Sequence, residues 1–140
     1  MTGRKWAFNY KHDSVGSVNR SRARFGIRGF TQVAGVAYEE IYAPCPSKAT
    51  VRAVMAVVAQ RDMKANALDM KHAYLNAHMD KPLYTRQPKE YEVGGDNMVC
   101  RCKLALNGSK QAGNLWNTEL HNTLTSVGSN RSDADPNLYL

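Results

Sequence analysis

The sequence predicts an α+β fold, and three observations carry that expectation. Residues alternate with a period of two from Trp6 to Arg28. Two stretches, 48–61 and 110–127, place apolar residues at helical spacing. Short strand-like runs lie between and after those stretches. At 140 residues, 43% hydrophobic and 22% charged, the chain suffices for one domain with a modest core.

The elements follow in order. Trp6, Phe8 and Tyr10 alternate with Ala7 and Asn9 and read as a strand. Asp13, Ser14 and Gly16 supply a turn. From Val18 the alternation resumes, with Arg20, Arg22, Arg24 and Arg28 on one parity and Ala23, Phe25 and Ile27 on the other. Side chains two apart share a strand face, so a hairpin here has an arginine face and an apolar face. Residues 29–46 read as loop, broken by Gly29, Gly35, Pro44 and Pro46. Ser47 can cap a helix from Lys48 to Arg61, whose stripe of Val51, Val54, Met55 and Val58 is most simply core. Residues 64–70 suggest a short strand ending in Asp69, 71–76 a turn, and 82–86 a second short strand. A polar loop from Glu90 to Asn97 precedes a third, 98–103. Asn107-Gly108 marks a turn, and Ser109 is a candidate cap for a helix from Lys110 to Val127 that stops at Gly128. Residues 137–140 begin a strand whose pairing partner is expected beyond the chain.

Charge is concentrated. The net charge is +7, yet residues 1–30 hold seven basic groups against one acidic group, Asp13. Such an element suits either an anionic partner or a solvated surface. The arginine row favours the anion, because like charges in a row repel unless an anion lies across them, and guanidinium matches phosphate with two parallel hydrogen bonds. Several classes lose support. No apolar run reaches membrane length and no signal core opens the chain, so an intracellular, non-secreted setting is expected. Cys45, Cys100 and Cys102 form neither a disulfide framework nor a zinc motif, and for the Cys100-x-Cys102 pair a buried structural role is expected. No Gly-x-Ser-x-Gly or Walker-type loop is present. Asp69, at an expected strand end, suits either a divalent-metal ligand or a loop cap.

Ordered blocks then carry a resemblance. They are Gly16-x-Val18-x-Arg20-x-x-Ala23-Arg24, Arg28-Gly29-Phe30-Thr31-Gln32-x-x-Gly35 and Tyr38-x-Glu40-x-x-Ala43-Pro44, followed by Leu68-Asp69-Met70-Lys71-x-Ala73-Tyr74-Leu75-Asn76 and Gln87-Pro88. Lys110-Gln111-Ala112, Trp116-Asn117 and Ser132-Asp133-Ala134-Asp135-Pro136-x-Leu138-Tyr139 complete the set. From Trp6 to Leu140 the chain resembles the reverse transcriptase of Ty1/copia-type LTR retrotransposons, an RNA-directed DNA polymerase.

The resemblance implies a fingers hairpin and loop over 1–46, and over 47–140 a partial palm with two packed helices. It implies Mg²⁺ as cofactor, held by Asp69 and by the backbone carbonyl of Met70. Tyr74 would abut the sugar of the incoming dNTP and exclude a 2′-hydroxyl. Arg22, Arg24 and Arg28 would lie near the triphosphate, Lys110 and Gln111 near the nucleotide, and Lys11 and Arg20 on nucleic acid. The partners implied are dNTP and an RNA or DNA template–primer, and the setting is cytoplasmic, in a virus-like particle. A primer 3′-hydroxyl would attack the α-phosphate with two metal ions flanking it.

Departures from the family pattern temper these roles. Asn107, Ser109, Gly113 and Asn114 replace an aromatic, a leucine, a proline and an arginine of the family's block. His72, Ser21 and Ala37 stand where a small hydroxyl residue, an aromatic and an aspartate are usual. The Tyr-x-Asp-Asp hairpin expected after Leu140 is not in the sequence. The expectation is therefore a fragment without polymerase activity of its own. Competing expectations are a non-catalytic nucleic-acid-binding module and the product of a degenerate copy.

Overall fold

The computed structural model describes residues 1–95 and 97–140; Asp96, within the loop expected from Glu90 to Asn97, lies outside the described residues. The elements run β1 (Arg4–His12), β2 (Val18–Ile27), α1 (Lys48–Gln60), β3 (His78–Arg86), β4 (Val99–Leu104) and α2 (Ala112–Ser126), with 3₁₀ turns at Gly29–Thr31 and Ala73–Asn76. β1 and β2 form one antiparallel pair and β3 and β4 another.

The first hairpin closes on Asp13. Its carboxylate accepts from the amides of Val15 and Ser17, each at 2.9 Å, and Gly16 takes φ +87°. In β3 the inward positions Leu83 and Thr85 are buried while Pro82, Tyr84 and Arg86 face solvent, the period of two that one covered face imposes. The core is small. Ile27, Leu83 and Cys102 form one cluster, and Ala77, Ala105 and Ala112 another, with Met79 packed against both.

The base of the first hairpin is fused to the turn before α2. Ile27 donates its amide to Asn107 O at 3.0 Å, and Arg28 donates its amide to Gly3 O at 2.7 Å. Here backbone meets backbone: a Cβ at Gly29 would collide with the carbonyl oxygen of Gly108, and one at Gly108 with that of Ile27. Gly108 also takes φ +89°, a left-handed conformation that a side chain disfavours.

Several sequence expectations are corrected. No strand forms over 64–70. A strand needs a ladder, and among the described residues no backbone hydrogen bond pairs this stretch with another. α1 forms from a Ser47 cap that accepts from Thr50 N at 2.9 Å, but none of its residues is buried, so its apolar stripe is not core. Ser109 does not cap α2. Its hydroxyl donates back to Leu106 O at 2.9 Å, closing a turn, and the helix starts later, at Ala112. The final strand segment finds its partner inside the chain. Asn130 and Leu140 exchange hydrogen bonds of 2.7 and 2.9 Å, and Arg131 pairs with Tyr139. Among the described residues no helix is long and apolar enough to cross a membrane.

Candidate nucleotide and nucleic-acid interface

The register of the first hairpin decides its chemistry. Lys11 faces Arg20, Asn9 faces Arg22 and Ala7 faces Arg24, while Phe8 faces Ala23 and Trp6 faces Phe25. Residues directly opposed share a face. One face therefore carries Lys5, Lys11, Arg20, Arg22 and Arg24, and the other Trp6, Phe8, Tyr10 and Phe25. On the aromatic face the Trp6 ring meets Phe25 edge-on at 5.2 Å between centroids and stacks on Phe8 at 6.0 Å. On the basic face, Lys11 sits across from Arg20, a repulsive pair. Among the described residues the ion pairs are Arg4–Glu92 and Lys81–Glu39, so no carboxylate neutralises the five cations.

Arg28 departs from its expected place. β2 ends at Ile27, so the period of two stops before it, and the Arg28 side chain lies along Gly3, whose Cβ position is 3.2 Å from Arg28 Cδ.

Arg22 and Arg24 form one wall of a cleft of about 220 Å³; His72, Ala73, Tyr74 and Leu75 form another, and Asn107 lies between. Three residues singled out in the sequence, Arg22, Arg24 and Tyr74, thus line one cleft. His72 brings the 3₁₀ turn into position by adopting φ +54°, in the left-handed region, where histidine is tolerated better than a branched residue. Its carbonyl accepts from Leu75 N at 2.8 Å. Sequence reading flagged His72 as a departure from a pattern; its cleft position follows only from the fold.

Asp69 and Met70 do not line the cleft, and both are exposed in an irregular stretch where Leu68 is 94% exposed. Among the described residues no group of three or more His, Cys, Asp or Glu side chains is placed to hold a metal ion. One exposed carboxylate does not fit a bound divalent cation, which takes several oxygen ligands.

Lys110 and Gln111 are engaged elsewhere. Gln111 is 1% exposed; its Nε2 donates to Ala37 O at 3.0 Å and its Oε1 accepts from Gln32 Nε2 at 2.9 Å. Lys110 Nζ donates to the Tyr38 hydroxyl at 3.0 Å and lies 4.9 Å from that ring's centroid. Gln32 and Tyr38 escaped sequence reading as site residues, although both stand inside the family's blocks. Cys102 is buried and Cys100 half-buried, and burial, with Cys100 adding to it, pushes the Cys102 thiol up. This fits a structural role.

Comparison with known proteins agrees with the blocks read in the sequence. The model of the family described as reverse transcriptase (RNA-dependent DNA polymerase) matches residues 1–140. The chain is 33% identical over 141 residues to the retrovirus-related Pol polyprotein from transposon RE1 of Arabidopsis thaliana, covering 100% of this chain and 10% of that protein. It is 31% identical over 136 residues to the corresponding polyprotein from transposon TNT 1-94 of Nicotiana tabacum, covering 96% and 10%. The polyprotein from transposon RE2 of Arabidopsis thaliana is 32% identical over 141 residues. The chain thus spans about a tenth of the length of the curated relatives it matches. No solved structure matches. A family match along the whole chain and relatives of this identity establish that the chain belongs to the reverse transcriptase family, in the form carried by copia-type Pol polyproteins.

Proposed function

We propose that this chain is the nucleotide-facing part of a copia-type RNA-directed DNA polymerase. In this reading the basic face of the first hairpin takes phosphates of template and primer, and the cleft takes the triphosphate of a dNTP. The observation that carries it is the meeting of Arg22, Arg24 and Tyr74 around one cleft. Two forked cations beside an aromatic ring suit an anion attached to a sugar and base. At about 220 Å³ the cleft is smaller than the roughly 300–1,000 Å³ of typical small-molecule sites, so it suits the phosphate tail rather than a whole nucleotide. Tyr74, lining the cleft, would then restrict the 2′ position by sterics.

The family works with divalent metal. We take Mg²⁺ to be that metal and Asp69 to be one of its ligands in a longer polypeptide. Because Asp69 is exposed and without a clustered carboxylate here, the chain by itself is expected to extend no primer.

Titration with dTTP and with TTP's ribose counterpart tests the reading. Binding should weaken roughly tenfold on Arg22→Ala with Arg24→Ala, since a hydrogen bond to a charged group contributes roughly 1.5–3 kcal/mol before solvent screening. Tyr74→Ala should narrow the preference for the deoxy form. Unchanged dTTP binding in the double arginine variant would sink the assignment. If instead RNA binding alone responds, losing about one unit of salt slope per arginine removed, the chain is a non-catalytic nucleic-acid-binding module. The unneutralised basic face is what favours that second reading.

A further inference from the structure

Gln32 and Gln111 are 5% and 1% exposed, an unusual depth for two uncharged amides. They satisfy each other. Gln32 Nε2 donates to Gln111 Oε1 at 2.9 Å, Gln32 Oε1 accepts from Lys110 N at 2.8 Å, and Gln111 Nε2 donates to Ala37 O at 3.0 Å. The Lys110–Tyr38 bond at 3.0 Å runs along the same seam. Each contact joins segment 32–38, just after the basic hairpin, to the start of α2, more than seventy residues away. Buried amides left without partners are costly, so this seam holds one arrangement or breaks as a unit.

The seam lies where the hairpin's direction is decided. The hairpin leaves the core at Ile27, and the segment held by the two glutamines begins at Gln32, three residues after the Gly29 contact. One wall of the cleft is the hairpin, with Arg22 and Arg24; the Tyr74 wall is on the other side. A change in the hairpin's angle therefore changes the cleft's aperture. Gln111, meanwhile, has its oxygen and one N–H committed to protein and almost no exposed surface for a ligand.

We propose that Gln32 and Gln111 form a clasp that sets the hairpin's angle over the cleft, making Gln111 a positioning residue rather than a nucleotide contact. The proposal rests on reading the cleft as a triphosphate site. The clasp itself can be measured without any ligand.

The experiment places spin labels at Val15→Cys, on the hairpin tip, and Thr123→Cys, on the exposed side of α2, with the exposed Cys45 replaced by Ser. Pulsed dipolar spectroscopy gives the tip-to-helix distance distribution, and dTTP titration is run on the same proteins. Gln111→Ala and Gln32→Ala should each broaden the distribution and weaken dTTP binding roughly fivefold, the scale of a lost net hydrogen bond or two. The double variant should be little worse than either single one, because both break one seam. An unchanged distribution with weakened dTTP binding would make Gln111 a direct contact and overturn the clasp. So would broadening on Gln111→Ala but not on Gln32→Ala. If Gln111→Ala does not fold, Tyr38→Phe removes one hydroxyl from the seam and keeps the ring; it should broaden the distribution less, and no broadening overturns the proposal. A parent chain that fails to bind dTTP rejects the triphosphate reading, and the distance distributions then show separately whether the clasp exists.

Discussion

Gly108 shows how one residue can fix the relation of two parts of a fold. Its φ of +89° and its contact with the Ile27 carbonyl leave no room for a side chain. Gly108→Ala must therefore adopt a disfavoured backbone region, at about 1–2 kcal/mol, and also push the hairpin base away. Urea melts should show a loss of at least that size. Gly35→Ala, at a similar φ but with open space around its Cβ position, should lose less. Asp135 acts differently. Hydrogen bonds from the Thr50 side chain, then from the amides of Ser47 and Asn137, hold its carboxyl below the usual carboxylate range. A group whose folded value is lowered contributes stability that is present above its unfolded value. That contribution is lost as pH falls through the folded one. Melting temperature should fall on acidification below the ordinary carboxylate range, and Asp135→Asn should flatten that part of the profile. An unchanged acid limb in the variant would count against the hydrogen bonds being responsible.

At the scale of elements, α1 and β3 invite opposite expectations. α1 is a well-capped helix with a stripe of Val51, Val54 and Met55, yet no residue of it is buried. Its fixed point is its N-terminus, through Ser47 N donating to Asp135 Oδ2 at 2.9 Å. Val54→Ser should change stability by no more than about 0.5 kcal/mol, the range of surface positions. Ser47→Ala should cost about 1 kcal/mol, the value of a lost cap. Leu83 in β3, 4% exposed and packed with Ile27 and Cys102, should cost roughly 2–5 kcal/mol on truncation to Ala. Comparing these variants in one set of chemical melts checks whether the core really lies under the sheets and not under α1.

For the whole molecule, area is the deciding quantity. The accessible surface is 10,873 Å². A compact monomer of this mass, 15.6 kDa, exposes roughly 7,300 Å². Large exposed side chains contribute to it, among them Val51, Val54 and Met55 of α1, Phe8 and Tyr10 of the hairpin, and Leu68 and Met70. Because the urea dependence of stability scales with the area exposed on unfolding, the transition should be shallower than that of a compact domain of 140 residues. A steep, two-state transition of ordinary slope would contradict this surface. If the basic face holds phosphates of template and primer as proposed, nucleic-acid affinity should fall steeply with salt, because each phosphate contact releases counterions, and binding titrations at two salt concentrations check it.

The sequence by itself determined the local features and the family. Alternating residues placed β1 and β2, and the Asp13–Gly16 turn chemistry closed them; Ser47 marked the start of α1, and Gly128 the end of α2. These were legible because they depend on residues close together in the chain. Ordered blocks of residues identified the reverse transcriptase family, since spacing survives where individual positions drift. Tertiary structure decided the rest. An apolar stripe says that a face can be buried, not that a neighbour arrives to bury it, so α1 misled. An expected strand over 64–70 had no partner to bond with. The meeting of Arg22 and Arg24 with Tyr74, and the burial of Gln111 against Gln32, join segments about fifty and eighty residues apart, and no local rule of spacing records such contacts.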